Sequence, residues 1–232
     1  MTSAVPRDAT AFEVREALRE SGCAVCHLAL RSVGRLLRSV AYEQVNDLGL
    51  RTVLRKRGGF CNVHAHDWLL AAHSVLGTAL IYKDVLEAAL RELDSPAAGG
   101  QRGRLLRGLL GAGSSDADLP CPACRSQAEA ERRYVEALLA LLASDAAVGR
   151  EFEASDGLCR RHTRAAMRAR RDAAEPVVRR AREALGELLA ELDEVIRKED
   201  YRFRHEPRTA GQRSAPARAI NWAAGKAGLT SP

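Results

Sequence analysis

Thiols and imidazoles are the side chains here whose types and spacing could do chemistry. Cys23, Cys26, Cys61 and His64 are each followed, 98 positions later, by Cys121, Cys124, Cys159 and His162. The two copies read CAVC then GFCNVH, and CPAC then GLCRRH, with 34 residues between the pairs in both, so no gap is needed to align them. All six cysteines are used. Arg35 with Arg133, Asp47 with Asp145 and Gly59 with Gly157 fall into the same register. Rare residue types in one register twice point to an ancestral duplication held by a chemical requirement. Repeat one spans about residues 12 to 94, repeat two about 118 to 200.

Three thiolates and one imidazole fill a tetrahedron around a borderline-soft cation and leave no position for a catalytic water. The expectation is therefore two zinc ions in structural Cys3His sites, one on Cys23, Cys26, Cys61 and His64 and the other on Cys121, Cys124, Cys159 and His162. An iron–sulfur cluster on the same residues is the second metal reading. A thiol redox role is the third, because CxxC at a helix start lowers a thiol pKa, but no βαβ pattern surrounds either motif. Cys23 to His27 also spells the CxxCH of haem attachment; Arg125 stands where copy two would need the histidine, so His27 is read as incidental. His66 and His73 likewise have arginines, Arg164 and Arg171, as counterparts. No catalytic constellation can be defended, which points to a non-enzymatic protein.

The elements that must position these ligands read as helices. Aromatic residues make up 4% of the chain and charged residues 28%, and Ala, Leu, Arg and Glu fill most of the rest. Leu28, Leu30, Val33, Leu36, Leu37 and Val40 recur at helical spacing after the first CxxC; Tyr134, Val135, Leu138, Leu139, Leu141 and Leu142 do so after the second. Asn46-Asp47 and Ser144-Asp145 cap a return helix, which ends at Gly58-Gly59 or Asp156-Gly157. An outgoing helix of roughly 18 residues and a return of roughly 16 cover similar distances, so the CxxC and CxxH ends of one copy are expected to meet. Within each pair the i and i+3 positions share a helical face.

Beyond the second CxxH, helices are expected near 159 to 174 and 177 to 199, divided at Pro176. The latter carries Val177, Ala181, Leu185, Leu188, Leu192, Val195 and Ile196 on one side. In copy one, Trp68, Leu69, Leu70, Leu76, Leu80, Ile81, Val85, Leu86 and Leu90 form the corresponding apolar face. The Gly- and Ser-rich stretch between the copies reads as a linker with a short helix at Gln101 to Leu110. The architecture expected is thus all-α. It comprises a first repeat at 1–94, a linker at 95–117, a second repeat at 118–200 and a basic, aromatic-containing tail at 201–232. In that tail Tyr201, Phe203, Ile220 and Trp222 are expected to dock, and Gly211 to Pro216 to form a mobile loop.

The net charge of +6 permits an acidic partner. Arg160 to Arg182 is the most basic stretch and makes a nucleic-acid surface an alternative, although stacking aromatics are missing from it. A solvated face paired with acidic neighbours, and a protein partner, are the plainer reading. Charged residues interrupt the first twenty-two positions, and no apolar run nears the roughly 20 residues a membrane span needs, so a cytoplasmic protein with no membrane association is expected.

CPAC, GLCRRH, the run IRKEDYRFRHEP and the region of Trp222 together resemble a bacterial domain-of-unknown-function family with C-x2-C and GFCxxH motifs and a YRFRxEP-like tail. The resemblance covers nearly the whole chain and supports Cys121, Cys124, Cys159 and His162 best. Copy one departs from it in having Ala24 in place of the proline of CPxC. The resemblance implies no activity.

Overall fold

The structure, a computed structural model, describes residues 8–94 and 119–229. Ten helices and no strand occur among them. In chain order they are α1 (Asp8–Leu18), α2 (Ala24–Tyr42), α3 (Leu48–Arg57), α4 (Asn62–Ala71), α5 (Val75–Leu93), α6 (Pro122–Ser144), α7 (Ala146–Ala154), α8 (Arg160–Ala169), α9 (Glu175–Arg197) and α10 (Ala210–Ala224). The fold is all-α. The expected helix at Gln101 to Leu110 and the linker at 95–117 lie outside the described residues.

The turn chemistry read from the sequence operates as expected. Asp47 accepts a hydrogen bond from the Leu50 amide at the start of α3, and Asp145 accepts from Ala147 and Val148 at the start of α7. Gly58 and Gly59 end α3 with φ of 78° and 99°, the left-handed region that a side chain disfavours.

The chain does not divide at the repeat boundaries. One compact unit comprises Met1–Arg31 with Ala128–Ala227, and the other Ser32–Gln127 with Gly228–Pro232. Two of the three divisions fall inside helices: α2 begins in the first unit and ends in the second, and α6 does the reverse. The sequence repeat and the spatial unit are therefore different partitions of the molecule.

In the first unit, Val14, Ala17, Leu18, Val25 and Leu28 pack with Tyr134, Val135, Leu138, Leu139, Phe152 and Leu158. In the second, Val33, Leu37, Val40 and Leu54 pack with Phe60, Trp68 and Ile81. The Phe60 and Trp68 rings stack at 5.6 Å, and the Trp68 indole N–H donates to Thr78 Oγ1 at 2.8 Å, so the buried ring leaves no polar atom unpaired. Of the apolar face expected in copy one, Trp68, Ile81 and Val85 are buried, whereas Leu69, Leu76, Leu86 and Leu90 are exposed. On α9, Val177, Ala181 and Leu188 are buried and Ile196 is exposed.

The tail differs most from expectation. Gly211 to Pro216 is helical, the first half of α10, not a loop. Thr209 caps the Gln212 amide, and the Gln212 side chain accepts from the Thr209 amide. This reciprocal cap nucleates a helix that Pro216 alone would discourage. Tyr201 and Ile220 are exposed and do not dock, while Ala215 is buried. The YRFRHEP run is a turn closed around the end of α9. Arg197 bonds both Glu194 and Glu206 and lies 4.7 Å from the Phe203 ring centroid. Lys198, 7% exposed, donates to Pro207 O and Gln212 Oε1.

Candidate metal centres

Each ligand pair sits the same way on a helix start. Cys61 is the N-cap of α4 and His64 lies one turn in; Cys159 and His162 hold the same positions on α8. Cys23 immediately precedes α2 and Cys121 immediately precedes α6, with Cys26 and Cys124 three residues on. Neither Cys61 nor Cys159 makes a side-chain capping bond, so sulfur stands where a serine or aspartate would have capped. The helix dipole at each start favours negative charge on those sulfurs.

The structure assembles the eight residues into two sets of four, but not the sets expected. Cys23 and Cys26 come together with Cys159 and His162, and Cys61 and His64 with Cys121 and Cys124. Each set takes its CxxC from one sequence copy and its CxxH from the other. The within-copy pairing therefore fails, and helix length supplies the reason. α2 has 19 residues, about 28 Å, but α3 has only 10, about 15 Å. The expected return of roughly 16 residues is partly spent in turns, so it does not retrace α2. α6 and α7, with 23 and 9 residues, repeat the mismatch.

In each set the four donor atoms lie within 4.8 Å of one another. In the first, His162 Nδ1 lies 3.3, 3.4 and 3.3 Å from the sulfurs of Cys23, Cys26 and Cys159, and the Cys26 and Cys159 sulfurs are 3.8 Å apart. In the second, His64 Nδ1 lies 3.2 Å from Cys61 Sγ, 3.3 Å from Cys124 Sγ and 3.8 Å from Cys121 Sγ; the Cys61 and Cys124 sulfurs are 3.5 Å apart. A tetrahedral zinc with Zn–S near 2.3 Å and Zn–N near 2.0 Å requires edges of roughly 3.5 to 3.8 Å, so these residues fit such an ion.

The surroundings of the two sets differ. Cys23, Cys26, Cys159 and His162 are all buried; Cys61 is half-buried and Cys124 exposed. His162 Nε2, unpartnered within hydrogen-bond distance, lies 3.6 Å from the Glu131 carboxylate, whereas His64 Nε2 lies 3.1 Å from Gln127 Oε1. Gln127 and Glu131 were not singled out in the sequence. Cys121, just before α6, and Cys124, Gln127 and Glu131 on it nevertheless follow one another at helical spacing, and that polar stripe was the available signal. Gly225, at φ 82°, closes over the first set: a Cβ there would lie 3.5 Å from Cys26 Sγ and 3.7 Å from Cys159 Sγ.

Without an ion, protons hold these groups together. Burial lowers the His162 pKa, but the hydrogen bonds with Cys159 and Cys26 and the nearby Glu131 carboxylate outweigh it and push it up to about 11. Hydrogen bonds from Cys23 and Cys26, helped by His162, hold Cys159 far below the ordinary thiol range, and burial pushes Cys23 well above it. In the second set, the hydrogen bond with Cys121 is the main cause raising His64 to about 9. Burial raises the Cys121 thiol, yet the bonds with His64 and nearby amides bring it down to about 6; burial first, and then Cys61, push Cys124 up to about 12. In each set a thiolate thus faces an imidazolium, Cys159 with His162 and Cys121 with His64, and an incoming cation displaces protons.

The other histidines lie elsewhere. His27 bonds Ser21 O at 2.8 Å, faces Glu20 at 3.1 Å and Lys226 at 3.4 Å, and so ties the chain before α2 to the tail. His66, His73 and His205 are exposed. In the basic stretch, Arg161 pairs with Glu131, Arg179 with Glu153 and Glu175, and Arg180 faces Glu183 and Glu187. Acidic partners thus come from α6, α7 and α9 as well as from the stretch itself. No helix among the described residues is long and apolar enough to cross a membrane.

Residues 8–228 match a family of unknown function, DUF6062. The chain belongs to that family. It is also similar to an uncharacterized 23.9 kDa protein in the xynA 3′ region of Caldicellulosiruptor sp. (strain Rt8B.4), with 41% identity over 73 residues. That segment is 32% of this chain and 35% of the relative, so the chain spans about a third of the relative's length. No solved structure matches.

Proposed function

We propose that this is a non-enzymatic, zinc-stabilised helical protein that acts in protein interaction or regulation. Its two structural ions would be held by Cys23, Cys26, Cys159 and His162 and by Cys61, His64, Cys121 and Cys124. The observation that carries this is the convergence, twice over, of three sulfurs and one imidazole nitrogen within 4.8 Å of one another, a set one tetrahedral ion can hold. Three sulfurs and one nitrogen close the coordination sphere, so the ion would supply cross-linking and not Lewis-acid chemistry on a substrate. In each centre Nδ1 would take the ion while Nε2–H turns outward, towards Gln127 for His64 and towards Glu131 for His162; such outer partners fix the tautomer and orientation of a ligand histidine.

The crossed sets explain why two ions would matter so much. Each would tie a segment of copy one to a segment of copy two, closing a loop of more than half the chain in one case and joining residues on both sides of the linker in the other. Structural zinc of this kind contributes roughly 10–16 kcal/mol of apparent binding energy near neutral pH, comparable to the stability of a whole domain.

The test is elemental analysis with an absorption spectrum on untagged protein purified without added metal. The expected result is two zinc per chain and no visible absorbance. Iron with a broad band near 400 nm would replace this reading with an iron–sulfur protein on the same residues. A folded, metal-free protein with a titratable disulfide would replace it with a thiol redox protein.

A further inference from the structure

α5 has apolar residues on two opposite sides. One side, Gly77, Ile81 and Val85, is buried in the second unit. The other carries Leu76, Leu86, Leu90 and Leu93 at 70%, 66%, 59% and 80% exposure. At about 100° per residue the two stripes are centred roughly 170° apart, so the exposed one is not the margin of the core face. A helix apolar on two faces is one that expects a second neighbour.

The exposed stripe has the spacing of a coiled-coil seam. Leu76, Ala79, Lys83, Leu86, Leu90 and Leu93 alternate three and four residues apart over nearly the whole helix. Taken as a and d positions, they are self-complementary in the antiparallel sense. A single two-fold axis between Asp84 and Val85 sets Leu76 against the partner's Leu93, Ala79 against the partner's Leu90 and Lys83 against the partner's Leu86. Lys83 then lies within one residue of the partner's Glu87. Lys83 and Glu87 pair with each other at 3.5 Å along the helix, with side chains 72% and 49% exposed, so across the axis each lysine can be shared between its own and the partner's glutamate. A parallel pair would instead stack Lys83 on its own copy, like charge on like charge. A lysine in the seam with its methylene stem against leucine and its ammonium near a carboxylate is a register device of the kind single polar a positions provide.

We infer that α5 is the interface of a symmetric homodimer, in which two copies pair antiparallel through Leu76, Ala79, Lys83, Leu86, Leu90 and Leu93. A C2 contact of this type needs only one self-complementary patch. Such a dimer would supply an interaction surface for the function proposed above, but it does not depend on the metal reading.

Sedimentation equilibrium of the full chain, as purified, over a micromolar range of concentration tests it. The wild type is expected to be a dimer. L90E should weaken association more than tenfold, because it sets a charge against Ala79, and should leave the helical circular-dichroism spectrum unchanged, because Leu90 is exposed in the single chain. L76K should also dissociate the dimer, and L76K/L93E should restore it, since an antiparallel pair brings the new lysine and glutamate together on both sides. A monomeric wild type would overturn the inference. Dimerisation that survives L90E, or that L76K/L93E fails to restore, would overturn it as well.

Discussion

The two Cys3His sets use the same residue types at the same helix positions, yet one is sealed and the other open. In the Cys159 and His162 set every donor is buried, Gly225 lies against two sulfurs, and a carboxylate stands behind the imidazole. In the Cys61 and His64 set one thiol is exposed and a neutral amide stands behind the imidazole. Ligand type selects an ion, whereas burial and the charge behind the histidine govern how fast and how tightly it is held. Duplication supplied two equal ligand sets, and the surroundings made them unequal.

The largest expected effect separates the crossed sets from within-copy sets. Cys26→Ala together with Cys61→Ala should leave no bound zinc, whereas Cys61→Ala together with Cys121→Ala should leave one. Elemental analysis distinguishes these outcomes, and one retained ion in the first variant would restore within-copy pairing. Next in size is the difference in stability between the sets. His162→Ala should abolish the cooperative thermal transition of the first unit, because it leaves three buried thiols without their cation. Cys124→Ser should lower the melting temperature but keep the transition, and calorimetry reads both. Equal effects would mean that burial does not distinguish the two centres.

Release kinetics offer a finer measure. With excess chelator and a chromogenic reporter, zinc should leave in two phases, the faster lost in Cys124→Ser. Glu131→Ala should accelerate the slower phase and weaken that centre by roughly 10- to 100-fold, with Gln127→Ala acting less on the other. A single phase in the wild type would abolish the comparison. The smallest effect concerns acid. The hydrogen bond from Arg15 lowers the Glu151 pKa, so this pair contributes stability above the unfolded carboxylate value that is lost as pH falls through the folded one. Arg15→Ala should remove that part of the acid sensitivity in pH-dependent melts. Both groups are half-buried at the surface, where water still screens the pair, so the change should be small.

Much of the local structure was legible because it depends on neighbours in sequence. Asp47 and Asp145 cap helices wherever those helices lie, and Gly58 and Gly157 turn the chain because of their own backbones. The tail was read less well. Pro216 suggested a loop, but the Thr209–Gln212 cap and the contact of α10 with α9 outweigh one missing amide. The second stripe of α5 was also misjudged, because periodicity identifies apolar positions without telling which face the core will take. Gln127 and Glu131 escaped notice because glutamine and glutamate are ordinary on a helix until burial gives them a partner.

The sequence by itself determined that eight residues form two equivalent four-donor sets and that helix starts present them in pairs. Those properties follow from residue type and a spacing of three. It did not determine which pairs meet. That depends on how far a return helix carries the chain, and a shortfall of several residues between α2 and α3, or α6 and α7, redirects each CxxH to the other copy's CxxC. Only the tertiary structure decided this, because partner choice is a sum of lengths and packing over the whole chain, whereas ligand identity is written at single positions.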